Sequence, residues 1–386
     1  MIQAADAPRL ARLAASRLRR GLLVVSHACV VPENQPVYGE LVERGWNVAL
    51  IVPDHWRHGY ADGDFAPRVA PGLEGHVVAT PVVLPGRPQR HFYRCRPGSL
   101  LRALQPRVVF VEEECYSVPA MQWAVAARRC GIPYGVQAYE NLDRPLPPAA
   151  RLIRSWVLPR ASFVAARSPA AADLARAWGA GGHMAVVPPA VPAWAPPPSS
   201  GPRPFCVGFA GRLVPEKGIW DLVEAVRSLD APVRLLFAGD GPLRDDLRAL
   251  SLPNAEVAVR TGLDHGGVAE AYGGMDVLAL PSRTTPTWAE QFGRVLVEAL
   301  WCGVPVVGSD SGEIPWVIGA TRGGLVVPEG DIRALAEALA TLRGDAALRS
   351  RLARTGRESV VRLFSTGAVA DALEAALSNV AGVSWT

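Results

Sequence analysis

The chain has 386 residues, of which 49% are hydrophobic and 20% charged, and its net charge is +4. That length suits two ordinary domains with full cores, and the composition excludes a disordered chain. So small a positive excess also excludes a nucleic-acid binder built on massed cations, while allowing weak attraction to anionic headgroups or phosphorylated substrates.

In chain order, residues 1–20 interleave Arg9, Arg12, Arg17, Arg19 and Arg20 with Leu10, Leu13 and Leu18. This reads either as a basic amphipathic segment lying on an anionic membrane surface or, the preferred reading, as a plain extension. Residues 21–26 form a short apolar strand. His27 follows it, and a pocket position and a core position are equally open to that side chain. A loop over 29–36 carries Pro32, Glu33 and Asn34, and a helix leads to Gly45. A second strand spans 46–52, so the opening is Rossmann-like. Gly and Pro are dense over 60–98, which predicts irregular strands and loops. The Asp62-Gly63-Asp64 match there reads as a turn, and the seven histidines show no metal-ligand spacing, so no metal is expected. Residues 107–111 read as a buried strand ending in Glu112, Glu113 and Glu114, for which a solvated loop and a substrate contact are both open. A helix over 118–130 and a strand over 134–138 come next, with Tyr139, Glu140 and Asn141 at the strand's end. A helix over 148–158 and a strand over 163–166 complete this half.

Residues 188–204 are proline-rich and read as a semi-rigid linker. Beyond them, a strand over 205–210 runs into Gly211-Arg212-Leu213-Val214-Pro215-Glu216-Lys217-Gly218. Lys217 is the only lysine of the chain; every other basic residue counted with it is arginine. Strand ends of this kind hold anionic ligands in α/β proteins. Arg212 offers a planar fork to phosphate oxygens, and Lys217 a compact point charge. Helices are expected over 219–229, 243–250, 293–302, 332–342 and 366–379. An apolar run over 277–280 ends at Pro281-Ser282, and Glu290-Gln291-Phe292-Gly293 leads into the helix that carries Glu298. Helical rise places the two glutamates roughly 12 Å apart at about 1.5 Å per residue, so they read as separate hydroxyl acceptors. Gly293 removes a side chain where free amides can face a ligand.

The order and spacing of Gly211-Arg212, Glu216-Lys217-Gly218, Phe237 to Leu243, Pro281-Ser282, Glu290 with Glu298, Gly303-x-Pro305 and Gly312-Glu313-Ile314-Pro315 resemble the donor half of retaining GT-B glycosyltransferases of family GT4. The resemblance implies an α/β fold with two Rossmann-like domains facing each other across a cleft. Its boundaries here would be a basic extension at 1–20, an acceptor-side domain at 21–187, the linker at 188–204, a nucleotide-sugar domain at 205–364 and a terminal helix crossing back at 365–386. The implied activity is metal-independent transfer of a sugar from a nucleotide diphosphate donor to an acceptor hydroxyl, with retained configuration. By the same resemblance Arg212 and Lys217 bind the diphosphate, Glu290 with the backbone at Phe292 and Gly293 binds sugar hydroxyls, and Glu298 binds the ribose. Gly211 belongs to the same donor set.

Two departures stand in the first half. A Gly-Gly pair is replaced by Pro32-Glu33-Asn34-Gln35, and Glu140 or Asn141 stands where many members carry a histidine. Glu140 is therefore placed with the catalytic set, and His27, Glu114, Tyr116 and Asn141 on the acceptor side. No cofactor is expected, and no second lysine exists to hold pyridoxal phosphate. The partners expected are the nucleotide-sugar and an acceptor of unspecified kind, with a weak peripheral membrane contact. Scattered cysteines and the lack of a long apolar run place the chain in the cytoplasm or at the inner face of the membrane. A sugar-nucleotide 2-epimerase and a non-catalytic binding subunit remain the alternatives.

Overall fold

Parallel strands organise both halves of the chain. The structure is a computed structural model that describes residues 21–57, 64–191, 193 and 203–380. The expectations for 1–20, for Asp62 and Gly63, and for most of the proline-rich stretch lie outside the described residues. The chain divides into two compact units, one of residues 1–192 with 366–386, the other of residues 193–365.

The first unit contains β1 (Gly21–Val25), α1 (Pro36–Glu43), β2 (Asn47–Pro53), β3 (Trp56–Arg57), β4 (Asp64–Phe65), β5 (Val77–Thr80), β6 (Val82–Val83) and β7 (Phe92–Tyr93). It continues with α2 (Pro97–Leu104), β8 (Val108–Glu114), α3 (Val118–Arg129), β9 (Tyr134–Ala138), α4 (Pro148–Val157), β10 (Phe163–Ala166), α5 (Pro169–Ala177) and β11 (His183–Val186). Seven of these strands form one sheet in the order β11-β10-β9-β8-β1-β2-β5. Leu22 to Val25 and Val48 to Val52 are buried almost without break, as strands covered on both faces require. The chain winds outward from β1 through β2 and β5, then starts again at β8 on the other side. The switch point therefore lies between β1 and β8, which run parallel with Leu22 opposite Val108 and Val25 opposite Val111. Ligands of such sheets bind outside the carboxyl ends at this point.

Two sequence expectations change here, those for the acidic triple and for Asp64. The acidic triple is no loop: β8 runs through Glu114, with a register shift against β9 between Val111 and Glu114. The stretch over 60–98 contains short strands, among them the sheet edge β5, and the helix α2 begins at its end. Asp64 belongs to the short antiparallel pair β3-β4.

The second unit contains β12 (Phe205–Ala210), α6 (Ile219–Arg227), β13 (Val233–Ala238), α7 (Arg244–Arg248), β14 (Ala255–Arg260), α8 (His265–Gly273) and β15 (Val277–Leu280). Then come α9 (Arg294–Trp301), β16 (Val306–Ser309), α10 (Ile314–Thr321), β17 (Gly324–Val327), α11 (Ile332–Gly344) and α12 (Ala346–Phe364). Its parallel sheet has the order β14-β13-β12-β15-β16-β17, which puts its own switch point between β12 and β15.

The last helix, α13 (Thr366–Ser378), belongs to the first unit. Val369, Ala370, Leu373, Ala376 and Leu377 recur at helical spacing and share one core with Leu22, Val24, Tyr38 and Trp46. Full burial of each Leu or Val contributes about 1.5–3 kcal/mol, enough to hold a single helix against its own entropy. Polar contacts fix its position: Arg44 reaches Asp371 at 2.6 Å and Glu374 at 3.1 Å, and the Trp46 indole donates to Glu374 at 2.8 Å.

Candidate functional site

In the second unit the site is built where β12 and β15 end. Half-buried Arg212 lies in the loop leaving β12, just after Gly211. A single helical turn, Pro215–Lys217, then presents Lys217. Gly218 follows in the left-handed region with φ +67°, and a Cβ there would stand 1.8 Å from the Pro281 carbonyl oxygen. Only glycine lets this turn close against the end of β15. Arg283 reinforces the closure, with two 2.6 Å contacts to the Asp221 carboxylate and its backbone N–H donating to Glu216 at 2.9 Å.

Closure brings Lys217 Nζ to 2.6 Å from Glu290 Oε2, and 4.9 Å from the centroid of the Trp288 ring. Ser282 donates to the same carboxylate oxygen at 2.9 Å, and the Ser309 hydroxyl donates to the Ser282 carbonyl at 2.5 Å. The backbone of Glu290 is also held, its carbonyl accepting from Glu313 N–H at 2.9 Å. Gly312 permits that approach, with φ +54° and only 2.1 Å between an added Cβ and the Glu290 oxygen. The Lys217 and Glu290 side chains are 13% and 8% exposed, so their charges act in a medium that screens less than water.

Glu298 stands in α9 with both oxygens engaged: Tyr272 donates its hydroxyl at 2.8 Å, and Arg294 Nε lies at 2.9 Å. Burial and the Glu298 charge push the Tyr272 phenol well above its ordinary range, so it remains a donor. Because α9 starts at Arg294, residues 290–293 are not helical and the 1.5 Å rise does not carry from Glu290 to Glu298. Gly293, at φ +73°, caps that helix. The Phe292 side chain is buried against Trp316 and Phe364, so its own contribution to a ligand falls to the backbone.

In the first unit the carboxyl ends of β1 and β8 gather the other candidates. The His27 backbone N–H donates to Glu113 Oε1 at 2.8 Å, and Nδ1 lies 2.6 Å from Oε2. His91 brings Nε2 to 3.6 Å from Glu113 Oε1. Burial opposes charging His27, but the Glu113 and Glu112 carboxylates together outweigh it and raise the pKa; in His91 burial prevails and lowers it. Glu112 pairs with Arg167, which also reaches Gln137 at 2.8 Å. Every member of the acidic triple is thus engaged inside the fold.

Glu114 accepts from Tyr139 N–H at 3.0 Å, and its pKa is pushed up to about 8 by burial and then by the Glu140 charge. Glu140, itself buried, accepts from Arg144 at 2.7 Å and from the Tyr116 hydroxyl at 3.4 Å. Tyr116, Glu114 and Glu140 therefore form one cluster, with half-buried Asn141 next in the chain. Sequence reasoning did not find Arg144, Arg167, His91, Trp288 or Tyr272. Only Tyr272 had a signal, as a buried aromatic that must find a partner for its hydroxyl.

Two doubly wound units, one carrying a caged lysine and carboxylate at its switch point, define a protein of the GT-B class. A family model described as glycosyl transferases group 1 matches residues 194–359, and one described as glycosyl transferase 4-like domain matches residues 35–190. The chain is 34% identical over 163 residues to the lipopolysaccharide core biosynthesis glycosyltransferase LpsE of Rhizobium meliloti, covering 42% of this chain and 46% of that protein. It is 38% identical over 157 residues to a GDP-mannose-dependent alpha-mannosyltransferase of Mycobacterium tuberculosis, covering 40% of this chain and 38% of that one. The chain thus spans less than half the length of these curated relatives. Among solved structures, sucrose-phosphate synthase from Thermosynechococcus elongatus aligns with TM-score 0.66 and 18% identity over 95% of this chain and 100% of that one. Anabaena HepE in complex with UDP and glucose aligns with TM-score 0.66 and 18% identity over 92% and 99%. The chain belongs to the group 1 glycosyltransferases, family GT4, with the GT-B fold.

Proposed function

We propose that the chain moves a sugar from a nucleotide diphosphate donor to an acceptor hydroxyl with retained configuration, without a divalent ion at the diphosphate. The observation that carries this reading is the contact of Lys217 with Glu290, whose carboxylate also accepts from Ser282, at the switch point of the second sheet. As the bond from the anomeric carbon to the diphosphate oxygen breaks, negative charge grows on the leaving phosphate. Arg212 and Lys217 are fixed cations suited to that charge, and preorganised charge is commonly the largest single catalytic contribution. The bond to the acceptor oxygen forms as the first bond breaks, and the acceptor's proton passes to the released diphosphate. Glu290 would accept from sugar hydroxyls and Glu298 from the ribose. Glu140 and Asn141, with His27, Glu114 and Tyr116, would serve the acceptor side.

The curated relatives are named for sugar transfer in lipopolysaccharide core synthesis and from GDP-mannose, which favours a glycan or glycolipid acceptor and disfavours the epimerase. Thermal shift with UDP and GDP, followed by incubation with the matching labelled nucleotide sugar, tests the reading. A bound nucleotide at 100 times its dissociation constant adds about 2.7 kcal/mol to stability. Failure of both nucleotides to raise the melting temperature, or equal binding by Lys217→Ala, would overturn it.

A further inference from the structure

His27, His91 and Glu113 each offer one ligand atom, and the three atoms lie within 4.8 Å of one another. They come from three separate places in the first unit: the turn after β1, the segment before β7, and the end of β8. His91 and Glu113 are 0% and 1% exposed. The orientation of His91 is informative. Its Nδ1 lies 3.0 Å from the Pro88 carbonyl oxygen and 3.4 Å from that of Arg87, both acceptors only, so Nδ1 carries the proton. Nε2 is then left with a lone pair, buried and without a hydrogen-bond partner. Its ion-pair contact is the Glu113 carboxylate oxygen at 3.6 Å. A lone pair held against a carboxylate deep in the fold is unfavourable unless a cation lies between them.

We infer that His27, His91 and Glu113 form a binding site for a divalent transition-metal ion, Zn2+ in the first place. Two imidazoles and one carboxylate form a zinc donor set that leaves a coordination position open. With bonds of about 2.05 Å and tetrahedral angles, ligand atoms lie roughly 3.3 Å apart, so small side-chain rotations from the present positions suffice. The hydrogen bond from His91 Nδ1 to a backbone carbonyl is the outer-shell contact that fixes the tautomer of a metal-bound histidine. Trp56 and Tyr93, with ring centroids 5.0 and 5.3 Å from that of His91, supply an apolar wall. Two neutral imidazoles and one carboxylate leave net charge −1, which a divalent ion more than offsets. The site belongs to the first unit and is independent of the diphosphate reading of Arg212 and Lys217.

The test uses the full chain after chelator treatment, with Zn2+ uptake measured by equilibrium dialysis and Co2+ binding by visible absorption. One equivalent of Zn2+ per chain is expected, with cobalt d–d bands and no thiolate charge-transfer band. His91→Ala and Glu113→Gln should each weaken binding by about tenfold or more. His27→Ala should do the same, and its 22%-exposed side chain makes it the variant to rely on should the buried ones melt early. His183→Ala, on an exposed residue outside the triad, should bind as the parent does. Absence of stoichiometric uptake by the parent chain, unaltered uptake in His27→Ala, or a cobalt–thiolate band would each overturn the inference.

Discussion

Lys217 and Glu290, 73 positions apart in sequence, hold each other at 2.6 Å. The residue proposed for the diphosphate and the residue proposed for the sugar are thereby parts of one ion pair. Neither can be altered without disturbing the other. Lys217→Ala should lower turnover on the order of a hundred- to thousand-fold, the effect of removing one preorganised charge. Lys217→Arg should restore little, because a planar fork does not replace a point charge fitted between a carboxylate and an indole. Steady-state rates of Lys217→Ala, Glu290→Ala and the double variant should be strongly non-additive, since contacting residues couple by about 0.5–3 kcal/mol. Additive losses would mean that the pair does not work as a unit.

Glu298→Ala should raise KM for the donor with little change in kcat, because a ribose contact is made equally in ground and transition states. Glu290→Ala should lower kcat instead. Tyr272→Phe should follow Glu298→Ala in kind but more weakly, since it removes the 2.8 Å hydrogen bond to the carboxylate and leaves the carboxylate itself in place. Kinetics at saturating donor decide this. A large kcat loss in Glu298→Ala with an unchanged kcat in Glu290→Ala would reverse the assignment.

Affinity for the nucleotide diphosphate should be the same with and without excess EDTA if, as proposed, Arg212 and Lys217 take the part a divalent ion would play. Calorimetric titration of the nucleotide in both buffers provides the measurement. Binding that disappears on chelation and returns with magnesium or manganese would refute the metal-free donor site.

Glu114 supplies a pH signature. Burial and the Glu140 charge raise its pKa from 4.5 to about 8 in the folded chain. Between those values the folded state holds a proton that the unfolded state has lost. The associated stability is fully present below about pH 4.5 and is lost as pH rises through about 8. Glu114→Gln, which mimics the protonated acid, should flatten that decline. Melting temperatures of both proteins near pH 6 and pH 9 provide the comparison; parallel declines would show that Glu114 is not the group responsible.

The opening βαβ pattern, the strand over 205–210 and the helix carrying Glu298 were legible because their apolar runs are long and their periods unambiguous. The motif proposed for the donor stood out for a different reason: its residues sit close together at turns where glycine is required, as at Gly218. The single lysine stood out against arginine without any structure. Local sequence therefore determined the fold class, the family and the list of donor candidates.

Tertiary structure alone decided how those candidates are paired. Glu112, Glu113 and Glu114 look alike in sequence, yet a register shift at the end of β8 sends them to Arg167, to His27 and His91, and to Tyr139 beside Glu140. The raised pKa of Glu114 follows from its burial and its neighbours, and neither is encoded in spacing along the chain. The same holds for His91, which sequence reasoning passed over in a Gly/Pro-rich stretch. Its meeting with His27 and Glu113 depends on a sheet whose strands β1 and β8 are adjacent in space and far apart in sequence. Contacts of that kind arise from parallel crossover topology, which brings distant strand ends to one switch point and leaves no period in the sequence to read.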